Sequence, residues 1–392
     1  MSDFGHPMRE LWGLDPEITY LNHGTVGATP LRVLAVQRGI QDEIERQPSK
    51  FLLRELCHHG VGLERPERPR MRQAAEGVAR HVGARADDLV FVDNATTGAN
   101  AVLASLPLVP GDEVVVTALG YGGVTNAARY WSRRSGATVV EVPLPESMTD
   151  PAFAVEAIDR ALGDRSRLLI VDLIASHSAL MLPVPEIVSR CRARGVPVLV
   201  DGAHAPGAIA LDIPALGADW FVGNLHKWAW APRSSAILWV APERQPAIHP
   251  AVISWGLDQG FTTEFDLVGT RDPSPWLASP AGLEMLDEMG AAAVRGYNHD
   301  LAYAAAGHLA ARWGTSYETP ESMVATMVTV PLPERYGSQR DDAARVRDWL
   351  LFDEGIEVNV SERDGVLRVR VAIQIYNEMS DVERLADVVA RR

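Results

Sequence analysis

The chain has 392 residues, enough for two domains or for one large and one small. Its 47 % hydrophobic and 22 % charged residues are an ordinary globular mixture, and no apolar run reaches the length of a membrane span. A net charge of −14 without a basic block speaks against nucleic acid as a partner. The start, MSDFGHPMRELWG, lacks the apolar stretch of a signal peptide, so a cytoplasmic protein is expected. The two cysteines, Cys57 and Cys191, make neither a disulfide framework nor a zinc site. Cys191 falls in a helical pattern and packs there. Cys57 with His58 and His59 is a metal fragment without a second ligand cluster, so no metal site is expected.

Residues 18–27, ITYLNHGTVG, read as a short extended run broken at Asn22, His23, Gly24 and Gly27. The glycines suggest tight turns or close backbone approach. Thr29 and Pro30 look like an N-cap and a first-turn proline, opening a helix to about residue 45. A helical period over 68–82 leads to a strand at 89–92 and a small, polar run, Asp93 to Asn100. A helix-like segment follows at 101–106. Small polar residues at a helix start leave N–H groups free for an anion, or merely cap the helix.

Strand-like 113–117 then meets a glycine-rich break around Tyr121. A helix at 126–134, a strand at 138–142, a helix at 151–162 and a strand at 168–172 alternate after it. Asp150 and Pro151 supply a cap and a first-turn proline. This alternation predicts a mostly parallel sheet covered by helices, with ligands at the C-terminal strand ends. Thr96, Thr97, Tyr121, Ser176, His177, Asp201, His204, Asn224, His226 and Lys227 all fall at such ends.

The chain is organised around residues 197–230. One apolar run ends on Asp201, and a second ends in Gly223-Asn224, just before Lys227. A buried Asp or Lys is costly unless paired or used. Lysine forms a Schiff base with an aldehyde cofactor, and aspartate keeps a pyridinium nitrogen protonated. Downstream, 235–240 is strand-like, 250–282 has no clear period, and 280–288 and 291–313 are helical. From about residue 315 the pattern becomes a small α+β unit. It has a strand at 325–332, a helix at 341–354, a hairpin turning at Asp364-Gly365, and a last helix opened by a Ser380/Glu383 capping box. Arg368 and Arg370 lie two apart on one strand and share a side. Arginine binds carboxylates bidentately.

The strings D-G-A-H at 201–204, G-N-L-H-K-W at 223–228, N-A-T-T-G-A-N at 94–100 and R-V-A-I-Q-I-Y-N at 370–377 resemble fold-type I pyridoxal-phosphate enzymes of the class V aminotransferase group. The isopenicillin N epimerase-like branch is the nearest in look; the cysteine desulfurases and C–S lyases are related branches. The resemblance implies an α/β fold: a large domain at 31–290 with a mostly parallel, seven-stranded type of sheet, and an α+β C-terminal domain at 291–392. Residues 1–30 would join the smaller domain. The cofactor implied is pyridoxal 5'-phosphate, held by Lys227 with Asp201 on its ring nitrogen and His204 on its ring oxygen. Thr96, Thr97 and His226 would surround its phosphate, Tyr121 would cover a face, and Ser176 and Asn224 would complete the cofactor site. Thr270, in G-T-R-D-P-S-P-W, would come from the partner subunit of a homodimer. Asn22 and His23 would reach the substrate side, and Arg370 would hold the substrate carboxylate. Where the family has serine this chain has Ala372, which puts one minor contact in doubt.

The expected substrate is an amino acid or a metabolite bearing one, with freed Lys227 as base for the Cα proton. Epimerisation or racemisation is the leading expectation, with His23, Tyr121 and His177 as candidates for the second acid. C–S or other β-lyase chemistry, transamination and an inactive cofactor-binding regulator are the alternatives. A desulfurase needs a thiol on a mobile loop late in the chain, and neither cysteine lies there.

Overall fold

The computed structural model describes residues 4–57 and 68–392; the His58-His59 fragment lies outside them. Strand β1 (Thr19–Tyr20) belongs with the C-terminal unit. The central sheet is built from β2 (Leu89–Val92), β3 (Glu113–Thr117), β4 (Thr138–Val142), β5 (Ser166–Asp172), β6 (Val198–Asp201), β7 (Trp220–Asn224) and β8 (Ala236–Val240). Among the described residues its seven strands run in the order β2-β8-β7-β6-β5-β3-β4, and of these only β8 is antiparallel to its neighbours; the other pairings are parallel.

Burial on both faces explains the nearly unbroken apolar runs of β5, β6 and β7. Leu169 and Val171 join a core under the helices Arg70–His81, Ala152–Ala161, Val184–Ala193 and Ser279–Glu288. Leu168 and Ile170 alternate to the opposite core, under Ala95–Ser105 and Gly122–Ser135. Gly98 lets the Ala95–Ser105 helix lie against β7, because a Cβ there would stand 2.7 Å from Val222 Cγ1.

The helix Ala291–Trp313 carries the chain to a second core. That core lies among β9 (Met327–Pro331), β10 (Ile356–Glu357), β11 (Asn359–Arg363) and β12 (Val366–Ala372) and the helices Arg340–Phe352 and Met379–Arg391. Strands β11, β12 and β9 form an antiparallel sheet, and β1 pairs with β10 in parallel. Residues 19–27 thereby run from the second unit to the loop after β7. Gly27, at φ 69°, passes so close that a Cβ would lie 1.8 Å from the His226 carbonyl oxygen. Among the described residues no helix is long and apolar enough to cross a membrane.

Three local expectations are corrected. The helix after β2 starts at Ala95, not 101, because Asn94 Oδ1 accepts from the Thr97 N–H and caps it. Thr29 caps nothing; its hydroxyl donates to the Ala231 carbonyl at 3.2 Å, and Pro30 flanks the helix Leu31–Arg46. The last helix is boxed by Glu378 and Asp381 instead of Ser380 and Glu383.

Candidate active site

The C-terminal ends of β2, β3, β5, β6 and β7 converge on a cavity of about 610 Å³ whose far wall is β12. The sheet positions its charged groups by register. Asp172 is paired with Asp201 as the last residues of β5 and β6, and both are buried. Asp201 Oδ1 accepts from the Ala203 N–H at 3.0 Å, while its buried Oδ2 has no partner among the described residues. Such an orphan acceptor is suited to a protonated ring nitrogen. The Asp172 carboxyl accepts from the Tyr121 backbone N–H. Burial, and then the charge of Asp201, push Asp172 well above the ordinary carboxylate range; burial also raises Asp201.

Lys227 Nζ reaches into the cavity and lies 3.0 Å from His204 Nε2. Burial, and then the Arg370 charge, bring its ammonium down to about 7. Burial, and then the Lys227 charge, hold His204 well below its ordinary value, so its ring is neutral. The indole N–H of buried Trp228 donates to His204 Nδ1 at 3.3 Å.

At the start of the Ala95–Ser105 helix, Thr96 and Thr97 line the cavity together with Asn94, Asn224 and His226. Asn224 does not stand free: its Oδ1 accepts from the Ala95 N–H at 2.9 Å and so anchors the helix start to β7. His226 Nδ1 donates to the Ser235 carbonyl at 3.0 Å. Burial and the Lys227 charge lower His226 to about 4. This polar rim at a helix N-terminus fits a phosphate.

Arg370 enters from β12. Its Nη1 donates to the Ser176 carbonyl at 2.5 Å and its Nη2 to Thr25 Oγ1 at 2.6 Å. Its Nε is buried without a partner, and no described carboxylate forms an ion pair with it. Burial lowers it to about 10. Arg368 instead donates to the Arg363 and Val366 carbonyls. Ser176, His177 and half-exposed Tyr121 also line the cavity, and burial lowers His177 to about 4.

Two substrate-side expectations are placed elsewhere. Asn22 lies behind the wall, its Oδ1 near Arg370 Nη2 (3.4 Å) and its Nδ2 donating to Glu357 at 2.6 Å. His23 is fully buried and bonded through both ring nitrogens, to Tyr376 and to the Lys227 carbonyl. The segment's contribution to the cavity wall is Thr25. Thr270 is exposed and lies in a smaller depression with Asp93 and Arg271, outside the main cavity of its own chain.

The family model described as Aminotransferase class-V matches residues 63–385. The chain belongs to the class-V aminotransferase family. A probable chloroplastic L-cysteine desulfhydrase of Arabidopsis thaliana is 33 % identical, over 96 % of this class-V chain and 83 % of that protein. Isopenicillin N epimerase of Streptomyces clavuligerus is 31 % identical, over 96 % of this chain and 95 % of its own. Among solved structures, the complex of the cystine C–S lyase C-DES with cysteine persulfide superposes at TM-score 0.78 and 20 % identity, over 96 % and 98 % of the two chains. The apo cysteine desulfurase of Thermococcus onnurineus NA1 gives TM-score 0.78 at 17 % identity, over 100 % and 98 %. These structures share the fold.

Sequence reasoning passed over four polar residues that line the cavity of this class-V chain: Asp172, Asn94, Thr25 and Asn359. Asp172 had a usable signal, since it ends an apolar strand as Asp201 does. Thr25 and Asn359 had none, because their place depends on how the N-terminal segment and the last sheet pack.

Proposed function

We propose that this pyridoxal-phosphate-dependent class-V enzyme binds an amino acid, or a metabolite with an amino-acid end, through its carboxylate at Arg370 and removes its Cα proton with Lys227. The observation that carries the reading is the pair of buried cations around one cavity. Among the described residues Arg370 lacks a carboxylate partner and keeps an unsatisfied Nε, and Lys227 titrates near neutrality. An uncompensated buried guanidinium calls for an anion, and its planar fork matches a carboxylate. A lysine half-deprotonated near pH 7 can act as nucleophile and as base.

The cofactor is pyridoxal 5'-phosphate, and the residues present fit it. Lys227 would hold its aldehyde carbon, Asp201 its ring nitrogen, and Thr96, Thr97 and His226 its phosphate. When bound, it supplies an electron sink for the pair left on Cα. Arg370, held by Ser176 and Thr25, orients the substrate so that its Cα–H faces Lys227 Nζ. His204 positions that amine, and Tyr121 borders the cavity mouth.

The reaction we favour is epimerisation or racemisation. It needs a second proton carrier; with His23 behind the wall, Tyr121 and His177 are the candidates that line the cavity, and we favour His177. Its ring lines the cavity, is neutral, and makes no hydrogen bond among the described residues. A C–S or other β-lyase is the second reading, favoured by the desulfhydrase among the relatives. We further propose a homodimer in which Thr270 serves the partner's phosphate site.

The test is incubation with a panel of amino acids in deuterated water. Cα exchange is expected for any that bind, suppressed about a hundredfold or more in Arg370→Ala. Deuterium in both enantiomers or epimers means epimerisation. A keto acid with ammonia means elimination, and a keto acid with the aminated cofactor means transamination. Undiminished exchange in Lys227→Ala would remove the basis of the reading.

A further inference from the structure

Trp220, Trp230, Trp239 and Trp276 are buried, and their indole N–H groups have no hydrogen-bond partner among the described residues. Packing alone accounts for them. Trp228 differs, because its Nε1 donates to His204 Nδ1 at 3.3 Å. An indole only donates, so Nδ1 is the acceptor and carries no proton. The neutral ring then holds its single proton on Nε2, the atom 3.0 Å from Lys227 Nζ. An imidazole N–H facing an ammonium would set donor against donor. The contact is a hydrogen bond when Lys227 is the neutral amine, whose lone pair accepts. The opposite tautomer would offer Lys227 a lone pair and favour the ammonium, which can neither attack a carbonyl nor take up a proton.

We propose that Trp228 is a positioning residue that, through its indole N–H, fixes His204 as the Nε2–H tautomer and so keeps Lys227 Nζ a neutral amine aimed into the cavity. The proposal rests on the reading of Lys227 as the residue that holds the cofactor. It also gives the tryptophan of H-K-W a task that packing does not require. The depressed titration of Lys227 agrees with it.

The experiment reads the tautomer directly in the cofactor-free, full-length protein. Long-range proton–nitrogen correlation spectra of histidine-labelled protein, with His204 assigned by the signals lost in His204→Gln, are expected to show one neutral ring protonated on Nε2. A wild-type ring protonated on Nδ1 overturns the proposal without any variant. In Trp228→Phe the ring is expected to become a mixture or the Nδ1–H form. Covalent uptake of pyridoxal phosphate at pH 7, fixed with borohydride and read by mass, is expected to slow by about tenfold, the factor set by one unit of lysine pKa. Benzothienylalanine at position 228 keeps the bicyclic shape, lacks the N–H, and must reproduce the tautomer change. A wild-type tautomer in that variant overturns the proposal. Failure of the cofactor reading looks different: the wild-type protein would take up no pyridoxal phosphate whatever its His204 tautomer.

Discussion

His23 Nε2 donates to the Lys227 backbone carbonyl at 2.9 Å, while its Nδ1 accepts the Tyr376 hydroxyl at 2.9 Å. Burial lowers this imidazole to about 4, so it is neutral, and a carbonyl can only accept. The N-terminal segment thus holds the main chain of Lys227 instead of reaching the substrate. His23→Ala strands two buried polar groups, at a cost of about 2–4 kcal/mol. The melting temperature is expected to fall by several degrees, and the turnover of Cα exchange to drop with KM nearly unchanged. A raised KM at constant turnover would instead return His23 to the substrate side.

Covalent cofactor uptake follows the neutral fraction of Lys227. Its rate is expected to reach half its plateau near pH 7, because the folded protein releases this proton at about 7 instead of 10.5. Between those values the unfolded chain binds more protons, so the Lys227 contribution to stability improves as pH rises through the window. Stopped-flow absorbance checks the rate. A rate that keeps climbing tenfold per pH unit toward the ordinary lysine range would contradict it.

Asp172 and Asp201 face each other in register, and both titrate above 3.8 in the folded chain. Above that value the folded protein retains protons that the unfolded chain has lost, so this contribution to stability falls as pH rises. Asp172→Asn keeps an oxygen for the Tyr121 N–H and removes one buried charge. In the cofactor-free protein it is expected to stabilise by about 1–3 kcal/mol at neutral pH and to flatten the pH dependence of melting. Melts showing an unchanged slope would mean that Asp172 binds its proton no more tightly in the folded than in the unfolded chain.

The proposed exchange of Thr270 makes cofactor affinity depend on assembly. Thr270→Ala is expected to weaken cofactor binding about tenfold, the loss of one charge-assisted hydrogen bond. Mixing Thr270→Ala chains with Lys227→Ala chains should restore one complete site per pair. No restoration, or a stable and fully loaded monomer in sedimentation, would refute the sharing.

The inner strands of the central sheet were legible because burial on both faces leaves apolar runs, and a charge stands out where β5 and β6 end and just after β7. Asp201, Lys227 and the alternation of strands and helices follow from that alone. The helix start at Ala95 was not legible. Ala-Thr-Thr-Gly has no strong helical preference, and the group that holds the Ala95 N–H is Asn224, 129 positions away. Asp172 carried the same signal as Asp201, an acid ending an apolar strand, but only the pairing of β5 with β6 set the two side by side.

What the sequence determined by itself is which chemical groups the chain carries and at which strand ends they emerge, since period and burial are local properties. The tertiary structure decided their partners. Arg368 and Arg370 share a strand face, yet only Arg370 is buried at the cavity, because Thr25 and Ser176 close over it. His23 and Trp228 became supports of Lys227 and His204 through hydrogen bonds between segments far apart in the chain. Such a bond depends on the placement of both partners to within a few tenths of an ångström, which only the packed fold sets.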